Sequence, residues 1–377
     1  MKICLVKLCA LPALSKDHKH EWVGGEEVQH AQLAAALAKL GHEVRVVVAD
    51  YGQPDGAVYD GVTTLKAFRD SDGWPIIRFV HPRWTKLWSA FARADSDVYY
   101  FSCAGMALGM LAMFCRLCKR RLVFRVASDS DCEPENLLIR YRRDRWLYEY
   151  GLKRADAVLV QTETQQRTLL KNYGRRAAVA GMLVARSGQR AETVQKDVDV
   201  LWVATIRHVK RPERFLALAR SLPRLRFHMA GGPSAGEDPL YSRIEAEARH
   251  IPNLTFHGLV PYLDIGPLFD RASALVNTSD LEGFPNTFLQ AWVRGIPVVT
   301  MFDPDGVVKS CNLGSSHSTV PEMTAGLEAM FLNEGTYQQA SSAALDFMAR
   351  RFGEEMVLAP YLEAFSGSDR AANAPTP

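Results

Sequence analysis

The chain has 377 residues, too many for one hydrophobic core, so two domains are expected. Its 47% hydrophobic and 23% charged residues exclude a disordered chain and fit a globular one. A net charge of only +3 gives no global attraction to nucleic acid, although basic clusters stand at 118–125 and 139–154.

In chain order, "KICLVKL" reads as a first strand. Its apolar run is broken by Lys7 and carries no cleavage pattern, so a leader peptide is not expected. "WVGGEEVQ" (22–29) sets Gly24 and Gly25 directly before a helix that Gly41 closes. Gly-Gly at a helix start lets a phosphate or sugar approach the backbone, while a tight turn without ligand is the simpler reading. "VRVVVAD" and "DVYYFS" read as strands. The apolar stretch 103–118 falls short of the roughly 20 residues a bilayer span needs. It reads as a core helix, with membrane contact through the following Lys119, Arg120 and Arg121 as a second reading. Cys115 and Cys118 form a lone C-x-x-C, best read as helix packing. The seven cysteines make no spaced framework, which points to reduced thiols and the cytoplasm.

"RLVFRVAS" continues the pattern. Its loop (125–133) offers the carboxylates Asp129 and Asp131, which can cap the turn. "ADAVLVQT", "ETQQRTLLKNYG" and "AAVAG" close a first domain, 1–184. Polar sequence marks a linker at 185–197. Alternation restarts at "VDVLWVAT" for a second domain, 198–345. Helices at 346–366 are expected to pack back on the first domain, and 367–377 reads as a disordered tail. Strand and helix alternating in this way predict an α/β protein: two Rossmann-like, doubly wound parallel sheets facing each other across a cleft. Ligands in such sheets bind beyond the carboxyl ends of the strands, so chemistry is sought on the loops there.

Three such loops lie in the second half. "WVATIRHVKRPE" (202–213) gathers Arg207, Lys210 and Arg211, cations able to neutralise a diphosphate or to form a solvated basic turn. "HMAGGPS" (228–234) brings Gly232 to the end of a strand. "DLEGFPNTFLQAW" (280–292) places Pro285 in the first turn of a helix, leaving the amides of Asn286, Thr287 and Phe288 without intrahelical acceptors. Such a start attracts an anion, and Gly283 lets the backbone come close. Glu282, just outside, suits sugar hydroxyls better than phosphate. Gln290, a turn into the helix, can reach a ribose. A plain helix cap explains the stretch equally well on its own. Joint placement at strand ends favours a ligand.

These residues resemble those of the retaining glycosyltransferase family 4, with its two-domain GT-B fold. "EGFPNTFLQAW" with "GIPVV" resembles the family's E-x7-E region, "RHVKRPE" its basic phosphate loop, and "GGEEVQHAQLAAALAKLGHEV" its N-terminal glycine loop and helix. The resemblance implies a nucleoside-diphosphate sugar as co-substrate, no other cofactor and no metal. It implies a glycan or lipid-linked acceptor and polysaccharide or glycoconjugate biosynthesis. Glu282 would contact the donor sugar, Lys210 and Arg207 the diphosphate, and Gln290 the ribose. The turn of Gly283, Phe284, Pro285, Asn286 and Thr287 would line the donor with Gly24, Gly25 and Gly232. The expected activity is retaining transfer of a hexosyl unit in the cytoplasm, with peripheral contact to an anionic inner membrane face and no nucleic acid. A non-catalytic nucleotide-sugar binder, or an epimerase or hydrolase on the same fold, is the alternative. Three positions depart from the pattern: Gln290 replaces the second acid, Thr205 stands where the family has arginine, and the loop 125–133 lacks a histidine, so that Asp129 or Asp131 would orient the acceptor hydroxyl unless they merely cap the turn.

Overall fold

The first eight strands form one sheet, in the order β3-β4-β2-β1-β5-β6-β7-β8. They are β1 (Lys2–Val6), β2 (Glu43–Val48), β3 (Val58–Tyr59), β4 (Val62–Lys66), β5 (Val98–Ser102), β6 (Arg121–Arg125), β7 (Ala157–Val160) and β8 (Ala178–Val179). All pair in parallel except β3 with β4. In this computed structural model the described residues are all but 20–22, 70, 75–77, 185–194, 235, 237 and 369–377. Most of the expected linker and nearly all of the expected tail therefore lie outside the described residues.

Six further strands form a second, wholly parallel sheet, ordered β11-β10-β9-β12-β13-β14. These are β9 (Val198–Val203), β10 (Phe227–Ala230), β11 (Leu254–Gly258), β12 (Ala272–Asn277), β13 (Val298–Thr300) and β14 (Gly314–Ser316). Both orders reverse beside their first strand, between β1 and β5 and between β9 and β12. Reversal opens a crevice at the carboxyl ends of those strands. The central strands are nearly continuous runs of buried Val, Leu, Ile and Phe, as parallel strands covered on both faces must be.

The chain divides into two compact units, Met1–Leu183 with the segment from Glu354, and Val184–Gly353. The return to the first unit begins at Glu354 rather than at 346. The reason is that Glu334–Arg351 is one continuous helix, and its Phe347 packs on Trp292 of the second unit at 5.4 Å. The last helix, Glu354–Ser366, buries Tyr361 and Phe365 against Tyr100 of β5, and the Tyr361 hydroxyl donates to the Gly181 carbonyl at 3.0 Å.

The apolar stretch 103–118 forms the helix Met106–Cys118, whose Leu108, Met110, Leu111 and Phe114 are buried. Cys115 is buried and Cys118 exposed, both as free thiols. Among the described residues, no helix is long and apolar enough to cross a membrane. This helix crosses Arg142–Arg154 at two glycines. A Cβ on Gly109 would stand 2.4 Å from the Leu147 carbonyl oxygen, and one on Gly151 would stand 2.6 Å from Leu108. Gly109→Ala gains about 1 kcal/mol of helix propensity. It also forces two backbones apart, and overpacking of that kind costs about 1–3 kcal/mol or more. We expect the melting temperature to fall by several degrees. A rise on thermal denaturation would show that the crossing yields freely.

Candidate functional site: the crevice beside β9

In the second unit the reversal point joins the loops after β9 and β12. After β9 the chain forms a short 3-10 turn, His208–Lys210, then the helix Pro212–Ser221. After β12 come Thr278, Ser279 and Asp280, of which Thr278 and Asp280 are tied back to the first loop. The Asp280 amide donates to the Val209 carbonyl at 2.9 Å. The Thr278 hydroxyl donates to the Lys210 carbonyl at 2.8 Å, and the Trp202 indole N–H donates to that hydroxyl at 3.0 Å.

This stitching brings Lys210 Nζ to 2.6 Å from Glu282 Oε2, with both side chains partly buried. Glu282 is held from its other oxygen as well: Ser279 Oγ donates to Oε1 at 2.6 Å and Asn277 Nδ2 at 3.2 Å. A carboxylate with three donors is fixed in place, and an ammonium on one of its oxygens leaves further N–H donors for a ligand. Asn277 and Ser279 escaped the sequence reading. The signal was there in part: polar residues ending the apolar strand "ASALVNTS".

The other cations are distributed differently. Arg211 and Arg214 both pair with Asp280, Arg214 at 2.6 Å. Burial pushes the Asp280 carboxyl up, but these two guanidinium groups outweigh it and hold it below the usual range. Arg211 is thus engaged in stitching the loops. Arg207 precedes the 3-10 turn and is exposed, with no ion pair among the described residues.

The Gly-Phe-Pro-Asn turn differs from expectation in one detail. Pro285 is the N-cap of a short helix, Asn286–Trp292, with extended ψ, and does not lie within its first turn. The Phe288 amide consequently donates to the Pro285 carbonyl at 3.1 Å and is already satisfied. Asn286 and Thr287 supply the amides of the opening turn. Phe284 packs on Trp292 and Phe352, at 6.1 and 5.9 Å between ring centroids, so its ring anchors the turn. Gln290 is half-buried on the helix, and its carbonyl accepts from Arg294 at 2.9 Å.

Gly232 has a structural reason of its own. The Ile206 amide donates to the Gly232 carbonyl at 2.9 Å, joining the loops after β9 and β10, and a Cβ on Gly232 would meet Leu259 at 2.8 Å.

Gly24, Gly25, Asp129 and Asp131 belong to the first unit. Gly24 caps the helix Gly25–Lys39 with extended backbone. Asp131 accepts from the Ala127 and Ser128 amides at 3.0 and 3.3 Å in a capping box, and Asp129 accepts from Gln165 at 2.9 Å. Asp131 therefore caps the turn, while Asp129 ties it to the helix that carries Gln165.

What the sequence did not single out is a buried polar cluster at the reversal point of the first sheet. Glu26 accepts from Arg125 Nη1 at 3.2 Å, Gln161 at 3.0 Å and Ser102 at 2.8 Å. Lys7 reaches Glu27 at 3.2 Å and Cys103 Sγ at 3.1 Å. Burial pushes the Glu26 carboxyl up, yet Arg125 and Lys7 hold it below the usual range. The visible signs were Lys7 interrupting an apolar strand and Arg125 ending another.

His30 lies beneath this cluster, with Nδ1 at 2.9 Å from the Glu26 carbonyl oxygen. Burial, aided by the Lys7 charge, lowers its pKa to about 3. Its folded value lies below the unfolded one of about 6.5, so its contribution is complete above pH ~6.5 and is lost as pH falls towards about 3. Asp131 has the opposite sign. Burial raises it from 3.8 to about 6, so its contribution is complete below 3.8 and is lost as pH rises through about 6. His30→Gln isolates the first effect. The melting-temperature gap between wild type and variant should shrink between about pH 7 and pH 4.5. A gap of constant size would mean that His30 is not buried neutral.

Two doubly wound sheets of this strand order, one in each unit, match the GT-B class of glycosyltransferase fold. Family models agree: a glycosyl transferase 4-like domain matches residues 24–183, and the glycosyl transferases group 1 model matches 187–314. The chain belongs to these glycosyltransferases and is a glycosyl-transferring enzyme. Among solved structures it is similar to HepE from Anabaena in complex with UDP and glucose, with a TM-score of 0.73 and 16% identity over 97% of this chain and 100% of that one. It is also similar to sucrose-phosphate synthase from Thermosynechococcus elongatus, with a TM-score of 0.75 and 16% identity over 98% and 99%. The lipopolysaccharide outer core galactosyltransferase WaaB is a third, with a TM-score of 0.62 and 15% identity over 98% and 100%. At such identities these likenesses bear on the fold alone. No curated protein matches the chain in sequence.

Proposed function

We propose that this glycosyltransferase moves a hexosyl unit from a nucleoside-diphosphate sugar to a hydroxyl of a glycan or lipid-linked acceptor, with retention and without a metal. The carrying observation is the Lys210–Glu282 pair at 2.6 Å in the crevice beside β9. Lys210 meets the diphosphate and stabilises charge growing on the leaving oxygen. Arg207 swings in from solvent to add a second cation. Glu282, with two other donors on Oε1, receives the sugar hydroxyls. Gly283, Pro285, Asn286 and Thr287 line the donor, with Gln290 towards the ribose. Binding of UDP-glucose by the Anabaena relative, solved in that complex, supports a sugar nucleotide as donor. The bond from the anomeric carbon to the phosphate oxygen breaks as the acceptor oxygen bonds to that carbon on the same face. The acceptor proton passes to the leaving phosphate oxygen. The first unit, which holds the polar cluster at Lys7, Glu26 and Arg125, takes the acceptor in this reading, and the enzyme works in the cytoplasm at the inner membrane face.

A thermal-shift panel of nucleoside diphosphates and their sugar conjugates tests the donor site. A ligand at about 100 times its Kd adds ~2.7 kcal/mol, a shift of several degrees. Acceptor-dependent release of nucleoside diphosphate then tests transfer. Binding without transfer to any acceptor would leave a sugar-nucleotide binder, a reading that Gln290 in place of an acid motivates.

Gln290→Glu restores the charge. Replacing a neutral hydrogen bond by a charged one gains about 1 kcal/mol, so donor binding should tighten about fivefold by calorimetry. Weaker or equal binding would take Gln290 away from the ribose.

A further inference from the structure

One face of the first unit combines exposed aromatic rings with unpaired arginines. The helix Arg142–Arg154 buries Leu147, Tyr148, Gly151 and Leu152, and its Trp146 is 58% exposed. Trp146 stacks on Tyr150 at 5.6 Å. Tyr150 in turn lines an apolar hollow with Trp84, Trp88, Met113 and Leu117, and Leu117 is 72% exposed. Trp84 leads on to Phe79 at 5.9 Å, and Arg143 lies 3.4 Å over the Phe79 ring. Around Phe79 a second hollow is lined by Arg78, Arg83, Arg140 and Arg142, beside the exposed Tyr141.

The charge on this face is largely uncompensated. Asp144 and Glu149 pair with Arg143 and Arg145. Arg78, Arg83, Arg116, Arg140 and Arg142 make no ion pair among the described residues. The whole chain is nearly neutral, so the concentration is local.

We propose that this face docks on an anionic lipid surface. Indole and phenol rings beside an aliphatic hollow suit the headgroup level, where one end of the ring is apolar and the other wet. Guanidinium groups flanking them are attracted to acidic headgroups, and their stems cover apolar surface. A second copy of the chain is the poorer fit, because two-fold pairing would set arginines against arginines. The site differs from the one expected from sequence: the helix Met106–Cys118 contributes only Met113, Arg116 and Leu117, its last turns. This docking rests on the reading of a lipid-linked acceptor only for its purpose. Lipid binding is measured without any transfer assay, so the two fail separately.

The test is co-sedimentation of the full chain with vesicles of phosphatidylcholine alone and of phosphatidylcholine mixed with phosphatidylglycerol, at low and raised salt. Binding is expected only to the acidic vesicles and should weaken with salt. Each cation near such a surface strengthens binding about fivefold, so R116Q/R140Q/R142Q should weaken it about a hundredfold. L117S/W146S should also weaken it, with less dependence on salt. All five positions are exposed, so the melting temperature should stay within a few degrees, which separates lost docking from lost folding. No binding to acidic vesicles, equal binding to neutral ones, or full binding by the arginine variant would overturn the proposal. A concentration-dependent dimer dispersed by these same substitutions would assign the face to self-association instead.

Discussion

Lys210→Ala is expected to lower kcat about 10²–10³-fold, as does removal of a preorganised donor facing developing negative charge. Folding should survive, because Glu282 keeps Ser279 and Asn277 as donors at 2.6 and 3.2 Å. The loss should extend to affinity for the free nucleoside diphosphate, which has no hexosyl unit for Glu282 to hold. A double-mutant cycle with Glu282→Ala separates the roles. If Lys210 only props the carboxylate, the single variants and the double variant lose activity equally. If it meets the phosphate, only Lys210→Ala weakens diphosphate binding. Wild-type turnover by a folded Lys210→Ala protein would remove the residue from the site.

The second large effect concerns stability. Arg125 is fully buried, and Nη1 donates to both oxygens of Glu26, at 3.2 and 3.3 Å. Removing one partner of a buried pair costs about 3–5 kcal/mol, because it strands the other charge. Arg125→Ala should therefore lower the melting temperature of the first unit by about 10 °C. Arg125→Met combined with Glu26→Gln removes both charges and should recover much of that loss. A small effect of Arg125→Ala on calorimetry, below about 1 kcal/mol, would mean that water or a neighbour rescues the carboxylate.

Both experiments address reversal points, and these were legible to different degrees. The loop motif at 280–292 was legible because glycine, proline and an acid act through local backbone geometry, over a few residues. Lys210 was legible for the same reason, as one of several cations before a helix. Which cation matters was not. Arg207, Lys210 and Arg211 look equivalent in a string, yet Arg211 is consumed by Asp280 and Lys210 is aimed at Glu282, across 72 residues of chain. Likewise Asp129 and Asp131 read as candidate acceptor groups, and only folded hydrogen bonds show that they hold the turn and Gln165.

The order of strands and helices along the chain and the presence of two sheets were set by the sequence alone, because hydrophobic periodicity and turn chemistry are local. The continuous apolar run of about 4–8 residues that marks a strand buried on both faces survives any tertiary arrangement. Tertiary structure alone decided the partners: Glu26 with Arg125, Lys210 with Glu282, Gly109 against Leu147, and the chain's return at Glu354. Those depend on which distant side chains a sheet brings to one edge. Strand order follows from crossover connections between segments far apart in sequence, and burial then dictates which polar groups must pair. No pattern within a window of the chain encodes that distance.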